Sequence, residues 1–195
     1  MAGITPSQTV GPYFAYGLTP AGKFAWSDLI INNLLTPGVA GERIRIEGRV
    51  TDADGKPIND ALLEIWQADA EGRYASADSA ARSNAAFKGF GRAGTDGDGN
   101  FSFDTIKPGA VAGPAGDKQA PHILVAYFSR GLLTHLYTRI YFADEKANDG
   151  DPVLKLVPAE RRHTLIAKRE IRGKLPVYRF DIVLSGDDET VFFDV

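Results

Sequence analysis

The groups in this chain best able to hold a metal or move a proton are three histidines, His122, His135 and His163, and seven tyrosines. No two of the histidines fall at a metal-ligand spacing such as H-x-H or H-x-x-x-H. No serine sits in a G-x-S-x-G elbow, and no glycine-rich phosphate loop precedes a helix. There is no cysteine, which removes disulfides, thiolate metal sites and a cysteine nucleophile. The turn TDGDGN at 95–100 looks like the first half of a calcium loop. It lacks the closing Glu at the twelfth position and runs into a strand pattern, so it reads as a tight connection. Arg161, Arg162 and His163 form a basic cluster that reads as a solvated or interface patch. On spacing alone the sequence offers no complete catalytic set.

The elements around these groups are strands. The stretch QAPHILVAYFSRGLLTHLYTRIYFAD, residues 119–144, predicts two strands, His122 to Phe128 and Leu136 to Phe142, around a turn at Ser129, Arg130 and Gly131. Both are apolar on both faces, which predicts a place in the middle of a sheet packed on two sides. His122 opens the first strand and Arg130 stands at the apex of the turn. ERIRIEGRV at 42–50 alternates charged and apolar residues, the half-buried strand pattern. Asp54 and Gly55 mark a turn, ALLEIWQ at 61–67 a short buried strand, and FSFDTI at 101–106 another alternating one. Residues 73–92, small, polar and glycine-containing, read as a long loop. Residues 153–158 read as a short helix or strand, 164–170 and 177–184 as a final strand pair, and ETVFFDV as an apolar tail that docks. The expected fold is all-β: a β-sandwich core of mixed and antiparallel strands with long loops. Residues 1–40, broken by Pro and Gly but carrying Tyr13, Phe14 and Tyr16, read as an extended arm that packs on its own domain or on a partner chain. Residues 41–195 form the domain.

A net charge of −3 gives no electrostatic case for nucleic acid or an anionic membrane surface. No run of about 18 apolar residues could span a bilayer, and no secretory signal is visible at the N-terminus. With no cysteine, a reducing cytoplasm is the expected location.

Six segments together carry a resemblance. TPSQTVGPYF at 5–14, LEIWQADAEGRY at 63–74, GFGRAGTDGDGNFSFDTIKPG at 89–109, APHI at 120–123, TRIYFADE at 138–145 and YRFDIVLSGDDETVFFD at 178–194 are similar, in order and over nearly the whole chain, to the protocatechuate 3,4-dioxygenase family of intradiol ring-cleaving enzymes. The resemblance implies a β-sandwich subunit of an enzyme that uses O2 and a non-haem Fe(III). The ion is held by two tyrosinates and two histidines, and two homologous kinds of chain, α and β, are present, of which only β holds iron. It also implies where ligands would stand. Tyr74 matches the first tyrosine and His122 the first histidine, but Val111 and Leu124 occupy the second tyrosine and second histidine positions. Val and Leu donate no lone pair, and one phenol with one imidazole is too little for a hard ferric ion. The chain therefore resembles the α kind, with no metal or catalytic residue of its own and Tyr74 and His122 as vestigial positions.

The same resemblance implies a substrate-binding role for Thr9, Gly11, Pro12 and Arg130 at a cleft shared with the β chain. There a guanidinium would attract the carboxylate of protocatechuate. The product implied is 3-carboxy-cis,cis-muconate, on the β-ketoadipate route of aromatic breakdown. Two other readings stand beside it. One is a stand-alone β-sandwich binding module. The other is a self-sufficient dioxygenase with ligands relocated to His135 and Tyr137 or Tyr141.

Overall fold

The computed structural model describes residues 17–19, 31–75, 87–113, 116–173 and 175–194. The alternation in RIRIEGRVT makes β1 (Arg43–Thr51), which buries Ile44, Ile46 and Val50 and turns Arg45, Glu47 and Arg49 outward. The other strands are β2 (Leu62–Gln67), β3 (Phe90–Gly94), β4 (Asn100–Ile106), the short pair β5 (Val111–Ala112) and β6 (Lys118–Gln119), β7 (His122–Phe128), β8 (Leu136–Phe142), β9 (Ile166–Arg172), β10 (Leu175–Arg179) and β11 (Ile182–Val183).

One mixed sheet runs β4-β1-β10-β9-β8-β7-β2-β3, with β11 beside the end of β1. The β1–β10, β1–β11 and β8–β9 pairs are parallel and the rest antiparallel. A turn at 95–99 carries β3 into β4, so the two ends of the path meet and the sheet nearly closes into a flattened barrel. Its interior is filled by fully buried side chains, among them Ile46, Leu63, Phe103, Val125, Phe142 and Tyr178. Each large apolar group in it contributes about 1.5–3 kcal/mol. No helix among the described residues is long and apolar enough to cross a membrane.

The expected all-β architecture and the 122–128 and 136–142 hairpin are as the sequence indicated. β3 was not expected, because Gly89, Gly91 and Gly94 give the segment a loop's composition. Gly91 is there for room: a Cβ on it would lie 2.8 Å from Leu34 Cδ1 and 3.0 Å from Ile31 O. Residues 31–34 cross the sheet at this point, with Arg92 N–H donating to Ile31 O and Leu34 N–H to Asp104 O. Residues 154–156 and 159–165 are 3-10 turns, so β9 begins at Ile166. Arg161 and Arg162 of the basic cluster donate to the carbonyls of Glu189, Val157 and Lys155, closing loops rather than facing a ligand. The C-terminal tail docks on this same chain, with Phe193 N–H donating to Tyr137 O at 2.8 Å.

At Gly48, in the centre of β1, the backbone of the β10–β11 connection passes so close that a Cβ would sit 1.8 Å from Phe180 O and 2.5 Å from the Phe101 ring. Neither neighbour is a flexible side-chain tip. Gly48→Ala is expected to destabilise the fold by about 3 kcal/mol or more, at the upper end of overpacking costs. The urea midpoint should fall with the slope of the transition unchanged.

Candidate functional site

The site is built at the base of the β7–β8 hairpin, where the loop after β2 folds over it. That loop is held from below. Gln67, fully buried at the end of β2, donates to Ile106 O at 2.9 Å and accepts from Thr105 Oγ1 at 2.8 Å. Asp69 then caps the turn by accepting from Glu71 N–H and Arg73 N–H. Gly72, at a φ of 80°, lets the turn press on Ala110, where a Cβ would lie 2.0 Å from its carbonyl oxygen. The result lays Tyr74 parallel to Trp66, ring centroids 6.2 Å apart.

His122 is 3% exposed. Its Nδ1 lies 2.8 Å from Ala120 O. A carbonyl can only accept, so Nδ1 carries the proton. Opposite it on β8 is Tyr141, also buried, whose hydroxyl donates to Asp151 Oδ1 at 3.0 Å. Val111 is buried on β5 and pairs with Gln119 on β6. Gln119 Oε1 accepts from Arg139 Nη1 at 2.7 Å, and Arg139 stands directly across from Leu124. Arg139 thus links these positions: it faces Leu124, bonds the strand partner of Val111, lies beside the Tyr141 that packs on His122, and acts by its charge on Tyr74.

Burial decides the protonation states. It pushes the Tyr74 phenol up, and the Arg139 charge draws it partly back. Burial also pushes the Tyr141 phenol well above its ordinary range. For His122, burial lowers the pKa, the hydrogen bond to Ala120 opposes this, and Arg139 lowers it further. Two neutral phenols, a neutral imidazole and a guanidinium make a weak donor set. Val111 and Leu124 have no lone pairs to add, and so the residues present do not fit a ferric ion. Among the described residues no group of three or more His, Asp or Glu could hold a metal either. The relocated-ligand reading fails on position. His135 and Tyr137 contact each other at the turn end of the hairpin, Nε2 to hydroxyl 2.7 Å, while Tyr141 lies at the base with its hydroxyl committed to Asp151.

Arg130 is not among these linked positions. It sits at the apex of the hairpin, beyond the end of β7, roughly 25 Å along the strand from His122 at about 3.3 Å per residue. Its side chain is 59% exposed and forms an ion pair with Asp60. Thr9, Gly11 and Pro12 lie outside the described residues. Between apex and base, the outer face of the sheet forms a groove of about 560 Å³, walled by Trp66, Phe90, Leu124, Phe128, Arg139 and Phe193. Sequence reasoning missed two residues here. Arg139 was signalled by a lone charge inside the apolar strand LYTRIYF. Asp151 looked like an ordinary loop residue, and nothing local marks it.

A neutral buried histidine makes stability depend on pH. The folded pKa of His122 lies below the unfolded value of about 6.5. Between the two values the unfolded chain binds more protons, so stability rises with pH. The contribution is fully present above about pH 6.5 and is lost as pH falls through the folded value. His122→Gln should flatten that part of a denaturation-against-pH profile relative to the wild type. An unchanged slope would mean His122 is not the titrating group.

Comparison with known proteins agrees with the geometry. A family model described as Dioxygenase matches residues 11–186. The chain is 50% identical over 201 residues to a protocatechuate 3,4-dioxygenase alpha chain from Burkholderia cepacia, covering 98% of this chain and 97% of the relative. It is 37% identical to a protocatechuate 3,4-dioxygenase beta chain from the same organism, over 84% of this chain and 73% of that one. Among solved structures it resembles the dioxygenase domain of a carbohydrate-binding fusion protein from Streptomyces sp. SirexAA-E. There the TM-score is 0.64 with 28% identity, covering 92% of this chain and 97% of that one. The near-closed sheet and the full-length match agree: this chain belongs to the intradiol dioxygenase family, on the branch formed by the protocatechuate 3,4-dioxygenase alpha chains.

Proposed function

We propose that this chain is the metal-free α half of an α/β intradiol dioxygenase that opens the ring of 3,4-dihydroxybenzoate with O2, giving 3-carboxy-cis,cis-muconate in the β-ketoadipate route. The observation that carries the proposal is the full-length likeness to an alpha chain combined with Val111 and Leu124 at two of the four ligand positions. In this reading the non-haem Fe(III) would be held by the homologous β chain, where it would supply Lewis-acid chemistry for the O2-dependent ring opening. Both oxygen atoms enter the product as the bond between the two hydroxyl-bearing carbons breaks.

The contribution of this chain is to shape the shared cleft, attract the anion and keep water out. Arg130 suits attraction, because an exposed pair such as Arg130–Asp60 is held by about 1 kcal/mol at most. The guanidinium can exchange Asp60 for a substrate carboxylate at little cost. The family resemblance assigns the remaining substrate contacts to Thr9, Gly11 and Pro12, a side-chain-poor stretch that would suit a flat ring. The absence of cysteine suits a cytoplasmic assembly.

Co-expression with a homologue carrying two tyrosines and two histidines at the ligand positions should give equal amounts of the two chains, with iron and turnover present only when both are there. Stoichiometric iron in this chain alone would overturn the assignment. In the complex, Arg130→Ala should raise KM for the substrate about tenfold while lowering kcat less, the pattern of a lost charge-assisted contact made in ground and transition states alike. If neither parameter moves, Arg130 plays no part in substrate capture.

A further inference from the structure

We propose that the Arg139 guanidinium is the built-in cation of the Tyr74–His122 pocket, standing where a metal ion would have to sit and keeping one out independently of the missing ligands. This does not rest on the pairing with a β chain. Arg139 touches or is one residue removed from three of the four positions, and its charge acts on the fourth. It is the cross-strand partner of Leu124. Its Nη1 donates to Gln119, whose own strand partner is Val111. The same Nη1 lies 3.4 Å from the Tyr141 hydroxyl, and the Tyr141 ring is 5.8 Å from that of His122. Its charge also reaches the Tyr74 phenol.

The partners that hold Arg139 are neutral: the Gln119 amide oxygen, the Tyr141 hydroxyl and the face of Phe193 at 6.0 Å. None of them carries a negative charge; the nearest carboxylate, Asp151, lies behind the Tyr141 hydroxyl and is occupied by four hydrogen bonds of its own. A guanidinium is not deprotonated in a protein, so this cation is present at every working pH. A ferric ion placed among these four positions would meet a fixed like charge at contact distance in a half-dry pocket, where screening is weak.

It follows that restoring the donors is not enough to restore metal binding. The test is made on the full-length chain with iron itself as probe. Val111→Tyr with Leu124→His supplies the missing phenol and imidazole and should still bind little iron. Adding Arg139→Gln should raise loading to about one iron per chain, with the visible charge-transfer absorption of tyrosinate bound to Fe(III). Adding Arg139→Lys instead keeps the charge and should keep the iron out. Arg139→Met in the same background supplies a second neutral variant in case Gln packs poorly. Three results would overturn the proposal: the double variant loading iron as fully as the neutral triples, the Lys triple loading as well as the Gln triple, or both neutral triples failing to load.

Discussion

A single carboxylate fixes the geometry of the site. Asp151 is fully buried, and its two oxygens accept four hydrogen bonds from three separate segments. Ala120 N–H comes from the link between β6 and β7, the Tyr141 hydroxyl from the end of β8, and the Val153 and Leu154 N–H groups from the turn that covers them. Burying a carboxylate costs several kcal/mol. Hydrogen bonds to a charged group return about 1.5–3 kcal/mol each, so four of them offset that cost. The geometry matters more than the net gain. With its N–H on Asp151, Ala120 presents its carbonyl to His122 and sets the tautomer of that ring. With its hydroxyl on Asp151, Tyr141 closes the floor beneath Arg139.

The electrostatics of the pocket follow from that frame. A phenol becomes a good metal ligand when a strong nearby cation lowers its pKa, yet the pKa values of Tyr74 and Tyr141 are raised by burial. One guanidinium, delocalised and partly spent on Gln119, does not reverse that. The phenols and the imidazole of the pocket have settled into neutral, hydrogen-bonded forms beside the Arg139 charge. Its outer wall is apolar and half-exposed along β2, β7 and β8, the side of the sheet that Phe193 and the C-terminal segment only partly cover.

How much of this could be read from the residues depended on whether the relevant partners were local. β1, β4 and the β7–β8 hairpin announced themselves through period-two alternation and turn residues, since a strand's own sequence decides which face it buries. β3 did not, because Gly91 is selected by a crossing segment nearly sixty residues earlier and not by strand propensity. Asp151 was invisible for the same reason: its partners lie at 120 and 141 as well as next door. Tyr74 and His122 were singled out only by likeness to a family, and spacing would never have joined residues separated by four strands, β3 to β6. Arg139 is legible as a charge in an apolar strand, but its partners Gln119 and Phe193 lie far along the chain and give it no local signature.

The two arginines of the hairpin divide its ends between different tasks. Arg139 lies at the base, hemmed by Gln119, Tyr141 and Phe193. Arg130 lies at the apex, mostly exposed and paired with Asp60. A substrate carboxylate met by Arg130 is too far away for its ring to reach Tyr74 or His122, since a benzoate is well under 10 Å long and the strand between them spans more than twice that. An anion captured at the apex therefore cannot be processed in this chain's own pocket, even if that pocket held a metal. If Arg130 meets substrate, the reacting centre must come from a surface that approaches the apex from outside. The family's division into two kinds of chain is consistent with such an arrangement, as is a hairpin whose base is sealed while its tip stays open.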